Sequence, residues 1–341
     1  MNIINKTPFK ALAVPAVCQN DNNHLVVVVK GTFSLSEKTS ASLKIADEQL
    51  ALFCADEHWD EPDKSSVRYE SDLAIVKRGV DVILNGTAYS QSRQVSSLDV
   101  TLSVANHKKT IRVFGNRYWE KTNVGFVKTT PEYFESISLK YENAYGGVDE
   151  FHQNSKVPGI DQRNPVGKGF VISPGSEQLH GLALPNLENP DQLITNWRDR
   201  PVPAGFGSIA RNWAPRHLMA GTYDAAWQKK RAPLLPKDFN EQYYSAASNG
   251  MILNHKLVGE APVSVVNASE LGTVKFKLPD ININVERSVE STTTIAPAYL
   301  DTVIIEPDEK RVVLTWRSAA VCHWNLARIN WVKITTGVKR A

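Results

Sequence analysis

The sequence predicts a mainly β protein, with antiparallel sheets in a sandwich- or barrel-like arrangement, long ordered loops and a few short helices. The strongest strand signal is HLVVVVKGTFSL at 24–35, whose opening β-branched run indicates burial on both faces. An alternating run at 80–89 and two strand-like runs at 98–104 and 110–114 lie close together along the chain. Strands that are neighbours in sequence favour antiparallel pairing.

The N-terminal elements can be placed individually. Residues 9–17 predict an edge strand and not a secretory signal, because Lys10 and Pro15 interrupt the apolar run. Gly31 interrupts the β-branched run and predicts a bulge in that strand. The polar residues 106–109 predict the turn of a hairpin between the two runs that flank them.

Strand signals return near the end of the chain, at 261–266, 273–278, 301–306 and 311–316. The polar stretch EPDEK at 306–310 predicts a hairpin turn between the last two runs. The tail at 321–336 carries Trp324 and Trp331, and we expect it to dock on the body of the protein.

Glycine and proline punctuation marks the middle of the chain. We therefore predict an N-terminal β-rich part (1–140), a loop-rich insertion packed on the β scaffold (141–260) and a C-terminal β-rich part (261–341). Together they are expected to form one intertwined globular unit. Capping residues predict three short helices in the insertion: Asn189 before Pro190, Thr222 before 223–231, and Asp238 before 239–247.

Composition excludes several classes of protein. A net charge of +3 on 341 residues, with a longest basic run of KKR at 229–231, does not indicate nucleic-acid binding. No apolar stretch approaches the roughly 18 residues of a membrane span, so membrane insertion is not expected. The three cysteines are odd in number and far apart, which fits a reducing cytoplasm.

The motif NPVGKG at 164–169 resembles a phosphate-binding loop but fails its pattern, because Gln162 and Gly169 stand where glycine and Ser or Thr are required. We interpret Asn164, Pro165, Gly167 and Gly169 as a structural turn that approaches another segment closely. His58 with two nearby aspartates could bind a hard cation, although a solvated acidic loop is the simpler interpretation. We expect no cofactor, no metal and no enzymatic activity.

The segment 197–240 organises the chain. It holds three of the eight Trp, five Pro and five Arg, a composition typical of ordered loops and of interface hot spots. Its candidate partner-binding residues are Arg198, Arg200, Phe206, Arg211, Trp213, Arg216 and Trp227. Two structural interpretations compete with this one: the aromatics plug the open end of a sheet, and the arginines bind loop carbonyls and carboxylates such as Glu70 and Asp72.

Several blocks, taken in order, resemble the family called domain of unknown function 2169: VVVKGTFSL (27–35), RYESD (68–72), NPVGKG (164–169), LPNLENP (184–190), PAGFGSIARNWAPR (203–216), AGTYDAAW (220–227) and RAPLLPKDFN (231–240). Within RYESD, the residues Arg68, Tyr69, Glu70 and Asp72 are taken as a structural motif. The resemblance implies a cytoplasmic adaptor or chaperone. Its partner would be a type VI secretion effector encoded nearby, which it would help load onto the VgrG or PAAR spike protein.

A second hypothesis is a carbohydrate-active hydrolase or a sugar-binding module, in which the same aromatics stack on sugars. It predicts an open cleft with two facing carboxylates and with the faces of Trp197, Trp213 and Trp227 exposed. No single carboxylate pair stands out in the sequence.

Overall fold

The structure is a computed structural model that describes residues 1–36, 42–152, 159–253, 259–322 and 328–337. Strands dominate, and the mainly β fold predicted from the sequence is confirmed. In chain order the strands are β1 Asn2–Asn5, β2 Lys10–Val17, β3 Asn23–Ser34, β4 Lys44–Ile45, β5 Glu57–His58, β6 Val67–Tyr69, β7 Val80–Leu84, β8 Thr87–Tyr89, β9 Ser97–Val104, β10 His107–Phe114, β11 Trp119–Thr122, β12 Gly125–Lys128, β13 Ser136–Ser138, β14 Tyr145–Gly146, β15 Lys168–Gly169, β16 Leu187–Glu188, β17 Ile252–Leu253, β18 Pro262–Val266, β19 Thr273–Lys277, β20 Ile283–Val289, β21 Thr292–Glu306, β22 Arg311–Val321 and β23 Ile329–Thr336.

A ten-stranded sheet forms the body of the molecule and curls into a nearly closed barrel. Its main path is β1-β23-β20-β21-β22-β3-β2, with β4, β7 and β17 joined at the side. β1 pairs in parallel with β23, and β3 pairs with β22, so strands from both ends of the chain share this sheet. The apolar faces of the two ends are therefore buried together.

β3 is the central strand that the β-branched run predicts, and every residue from Leu25 to Phe33 is buried. The bulge predicted at Gly31 is wrong, because the register with β22 runs from 24 to 34 without a shift. A Cβ atom at position 31 would lie 2.8 Å from the ring of Phe9. Close approach of that ring, and not a kink in the strand, explains the glycine.

A second, five-stranded sheet has the order β16-β10-β9-β18-β19 and shares one hydrophobic core with the barrel. The predicted hairpins β9–β10 and β21–β22 are confirmed, and the two strands predicted at 261–266 and 273–278 form β18 and β19, which pair with each other. The hairpin β9–β10 turns at residues 105–106, earlier than expected, with Ala105 at positive φ. The predicted edge strand is β2, which lies at the end of the sheet path.

β21 changes partners halfway along its length. Its first half, up to Ala298, pairs with β20, and its second half, from Tyr299, pairs with β22. A bulge at Asp301 follows two residues after the change. Continuing the register would set Pro297 opposite Ala319. Because proline has no N–H to donate, the ladder between β21 and β22 ends there and the sheet splits.

Residues 141–260 are mostly irregular backbone, with α1 (Ser176–Leu179), α2 (Ala225–Lys230) and four 3-10 helices at Tyr141–Asn143, Glu150–His152, Arg216–Ala220 and Glu241–Tyr244. The helix predicted after Asn189 is wrong: that side chain accepts a hydrogen bond from the N–H of Asp191 and closes a turn.

The two other predicted caps are displaced by two residues. Asp224 and not Thr222 caps α2, and Asn240 and not Asp238 caps the 3-10 helix that follows it. The physical reason is that Thr222 and Asp238 bind each other: the main-chain N–H and the hydroxyl of Thr222 both donate to the Asp238 carboxylate. The contact between Thr222 and Asp238 thus takes the place of the two helix caps that the sequence predicts at these residues.

The C-terminal tail docks as β23, which pairs with β20 and β1 and carries Trp331. Trp324 lies outside the described residues. Of the helices that the structure describes, none has the length and apolar character needed to cross a membrane.

Candidate functional site

A buried ion cluster joins the 197–240 segment to the barrel. The Glu70 cluster consists of Glu70, Lys77, Asp81, Arg211 and Arg216. Lys77 Nζ lies 2.6 Å from Asp81 Oδ2 and 3.6 Å from Glu70 Oε2, and Arg211 Nε lies 3.2 Å from Glu70 Oε1. Arg216 Nη2 binds the same Glu70 oxygen. Glu70 follows β6 directly and Asp81 lies in β7, so the two strands present both carboxylates to the loop layer.

Arg216 holds three segments together. Its Nε donates to the carbonyl of Tyr243 (2.8 Å), its Nη1 to the carbonyl of Ile209 (2.7 Å), and its Nη2 to Glu70. All three nitrogens of this guanidinium donate within the protein, and the side chain is buried, so it does not reach the surface where a partner would bind. The assignment of Arg216 as a partner-binding residue is corrected, and the interpretation of this arginine as a binder of carbonyls and carboxylates holds.

Electrostatics favour the charged forms of Glu70 and Lys77. Burial alone would raise the pKa of Glu70, but Lys77, Arg216 and Arg211 outweigh it and lower the pKa. Burial would likewise lower the pKa of Lys77, but Asp81 and Glu70 raise it. Asp81 behaves differently: burial raises its pKa, although Lys77 and the main-chain N–H of Ala246 act against that rise. The charged forms of Glu70 and Lys77 are therefore the favoured ones, and each depends on its partners in the cluster.

The other residues of the RYESD motif connect β6 to the hairpin β21–β22. Tyr69 donates its hydroxyl proton to Glu306 (2.6 Å), and Arg311 Nε donates to the same carboxylate (2.7 Å). Arg68 pairs with Glu309 at 2.8 Å. Asp72 pairs with the buried Lys30 of β3, completing a structural motif whose side chains reach several strands.

The NPVGKG turn closes against NAYGG at 143–147. β14 and β15 pair in parallel, and Asn164 Nδ2 donates to the carbonyls of Tyr141 (2.8 Å) and Tyr145 (3.0 Å). A Cβ at Gly167 would lie 2.6 Å from the carbonyl oxygen of Ala144. The predicted close approach of backbone to another segment is confirmed, and we call this pairing the glycine clasp. Pro165 and Gly169 belong to the same turn.

Two of the predicted aromatic anchors are core residues. Phe206 is fully buried, and Trp213 is 3% exposed, with its ring edge-on to Tyr141 at 5.6 Å between centroids. Neither can touch a partner on this surface, so both assignments are corrected. Both belong to the main hydrophobic core, which agrees with the competing interpretation in that these rings are buried. The burial of Trp213 also contradicts its stacking on a sugar.

The remaining candidates lie nearer the outside. Arg198 is exposed over the ring of Trp197, and Arg200 binds the carbonyls of Trp197 and Asp199, both at 3.0 Å. Arg211 is about one-third exposed beside the Glu70 cluster. Trp227 is half-buried, and its Nε1 donates to a carbonyl at 2.8 Å.

The outer side of this segment exposes two residues that the sequence reasoning missed. Leu218 is 71% exposed and Tyr223 is 53% exposed, with the Tyr223 ring edge-on to Trp227 at 4.7 Å between centroids. The lysines of the last turn of α2, Lys229 and Lys230, are exposed beside them in sequence. We use the name outer aromatic face for the contacting rings of Tyr223 and Trp227 together with Leu218, which is exposed five residues earlier in the chain. No pattern in the sequence indicates Leu218 or Tyr223, because the exposure of a single leucine or tyrosine is known only from the structure.

Lys109 supports the loop layer from below. Its Nζ donates to Ser248 Oγ (2.8 Å) and to the carbonyl of Asn249 (3.0 Å), and it lies 5.8 Å from the centre of the Phe206 ring. No carboxylate of the described chain pairs with it. Burial lowers the pKa of Lys109 to about 8.

A pH-dependent stability follows from Lys109. Its folded pKa lies below the unfolded value, so ionisation opposes folding below about pH 8 and this opposition fades as pH rises towards 10. We expect wild type to gain more unfolding free energy than Lys109→Met between pH 7.5 and 9.5 in urea titrations. Groups common to both proteins cancel in the difference, and parallel pH profiles would contradict the assignment.

Across the described ranges, no group of His, Cys, Asp or Glu side chains could hold a metal ion. The fold and the site thus define a β barrel with a fixed loop layer, held by buried ion pairs and a glycine clasp. The chain belongs to the family described as an uncharacterized protein conserved in bacteria (DUF2169), whose model matches residues 20–317. No curated protein and no solved structure matches the chain.

Proposed function

We propose that this protein is a cytoplasmic adaptor or chaperone that binds a type VI secretion effector and helps load it onto the VgrG or PAAR spike. The observation that carries the proposal is the outer aromatic face, an exposed apolar surface on a segment whose other side is fixed to the barrel. An exposed tyrosine and leucine and a half-buried tryptophan on rigid backbone would bind another polypeptide with little loss of conformational entropy.

The buried residues of the segment have a supporting role in this proposal. The Glu70 cluster holds 209–216 against the barrel, and Trp213 fills the space beneath it. The surface is therefore formed before the partner arrives, which lowers the cost of binding. Arg198, Arg200 and Arg211, which reach the surface, would lie at the rim and set direction.

The proposal predicts a specific loss of binding. Tagged wild-type protein should retain the product of the adjacent effector gene. The double variant Leu218→Asp/Tyr223→Asp should raise the dissociation constant at least tenfold, a loss of about 1.4 kcal/mol of binding free energy. The control is Val124→Asp, an exchange at a 94% exposed valine in the β11–β12 turn. Equal retention by both variants would contradict the assignment of the surface, and failure of wild type to retain any neighbouring gene product would contradict the function.

A further inference from the structure

The split between β21 and β22 leaves main-chain groups without a strand partner. The last pair joins Tyr299 to Arg317. Beyond it, Cys322 N–H donates to the Asn23 carbonyl of β3 at 2.6 Å. Because main-chain groups alternate in direction along a strand, those of Ala319 and Val321 point away from β3 and into the split. No strand of the described chain pairs with them there.

The rim of the split is apolar and exposed. On β21, Ile295 is 68% exposed, and Pro297 and Tyr299 alternate with it along the same face. Val321 is exposed on the β22 side. A cleft of about 320 Å³ lies between these strands and the segment 75–80. An unpaired edge beside an apolar surface suits an added strand, since main-chain bonds and alternate side chains are both accommodated.

Behind the split lies a buried cation. Arg287 of β20 is 3% exposed, and its Nη2 donates to the carbonyl (3.1 Å) and the hydroxyl (2.8 Å) of Ser318, a residue of the cleft wall. Its Nε has no hydrogen-bond partner. Burial lowers the pKa of Arg287 to about 10, which leaves the guanidinium charged at neutral pH.

Five other buried cations of the described chain each have a carboxylate: Lys30 with Asp72, Lys77 with Asp81, Arg117 with Glu188, Arg216 with Glu70, and Arg317 with Asp301. Lys109 has none, but its ammonium group donates to a hydroxyl and a carbonyl, whereas one N–H of Arg287 has no partner at all. In the described chain, no carboxylate lies within ion-pair distance of Arg287. A buried unpaired charge is costly, and this one lies directly behind Ser318, a small residue of the cleft wall. The arrangement complements an anion that enters from the cleft.

We propose that the split between β21 and β22 receives an extended, acidic segment of the protein partner. The partner's main chain pairs with the free edge of β22 at Ala319 and Val321, and one of its carboxylates forms an ion pair with Arg287. This inference rests on the proposed function, because it states how the adaptor holds its partner at a second place, distinct from the outer aromatic face.

The first test replaces the cation. Arg287→Met keeps much of the volume and removes the charge. We expect its melting temperature to be equal to or above that of wild type, and its affinity for the adjacent effector gene's product to fall at least tenfold. Salt should weaken binding of wild type more than that of the variant. If Arg287 only supports Ser318, the variant will melt earlier and bind normally, which would overturn the proposal.

The second test removes a main-chain donor. Ala319→Pro deletes an N–H that points into the split and is not used in the pairing with β3, whereas Ala319→Ser keeps that N–H. We expect the proline variant to lose at least tenfold in affinity and the serine variant to match wild type. Hydrogen exchange gives an independent readout, since the amides of 319 and 321 should become protected only in the complex.

The outcomes separate this inference from the proposed function. A partner that is retained equally by wild type, Arg287→Met and Ala319→Pro would refute the strand-addition site and leave the adaptor function standing. Failure of wild type to retain any neighbouring gene product would refute both. If Arg287→Met and Ala319→Pro lose binding while wild type and Ala319→Ser keep it, the strand-addition site and the adaptor function are both supported.

Discussion

Glu70→Gln is expected to lower the free energy of unfolding by about 3–5 kcal/mol, the range for breaking a buried ion pair from one side. The exchange keeps the size of the side chain but leaves Lys77, Arg211 and Arg216 with one carboxylate fewer. Lys77 and Arg216 are too buried for water to replace it. Chemical denaturation at pH 7 measures the loss. The control is Glu290→Gln, which removes one partner of an exposed ion pair with Arg328. There we expect the free energy of unfolding to fall by less than about 1 kcal/mol.

Glu70→Gln should also change how the free energy of unfolding falls as the pH is lowered. Glu70 has a folded pKa below its unfolded value, so its contribution is complete above the ordinary glutamate pKa and is lost as pH falls through the folded value. The window therefore lies below about pH 4. Wild type should lose more stability than Glu70→Gln over that window. If the difference in unfolding free energy between wild type and Glu70→Gln is the same at pH 7 and at pH 3, Glu70 is not a buried, ionised member of the cluster.

Gly167→Ala is expected to destabilise the protein by about 1–3 kcal/mol, the usual cost of an added methyl group in a filled space. The new Cβ would meet the carbonyl oxygen of Ala144 at 2.6 Å and the amide of Asn164, both of which belong to the glycine clasp. Main-chain atoms cannot move aside as a flexible side chain can. The clasp should therefore open, and the loop layer above it should lose protection from hydrogen exchange.

Gly175→Ala is the matched control for that exchange. Its nearest neighbour would be the flexible side chain of Gln178 at 3.3 Å, and its φ is −65°, which any residue adopts. We expect a change within about 0.5 kcal/mol. If the two alanine variants unfold at the same denaturant concentration, close backbone approach is not the reason for the glycine at 167.

Strands were predictable where the signal is local. The β-branched run of β3 and the hairpins β9–β10 and β21–β22 combine side-chain pattern with a turn close in sequence, so neighbouring residues fix the pairing. Helix caps were less predictable. Thr222 and Asp238 have the composition of caps, but they bind each other across 16 residues, and the caps moved to Asp224 and Asn240.

The candidate surface shows the same limit. Composition marked 197–240 as ordered and rich in aromatics and arginine, but it could not say which side of that segment faces the barrel. Trp213 and Trp227 have the same chemistry, and only packing against Tyr141 places the first in the core. The sequence does not predict that Leu218 lies on a binding surface, because an isolated leucine is ordinary until its exposure is known.

The sequence alone determined the mainly β class, the hairpins, the close backbone turn at NPVGKG and membership of a bacterial family, because each depends on residues near one another or on a pattern carried in order. Only the tertiary structure decided that both ends of the chain share a barrel, that Glu70 gathers three cations, and that Arg287 lies behind a split sheet. Those features join residues more than a hundred positions apart, or place a charge by burial, and no local pattern encodes such distances.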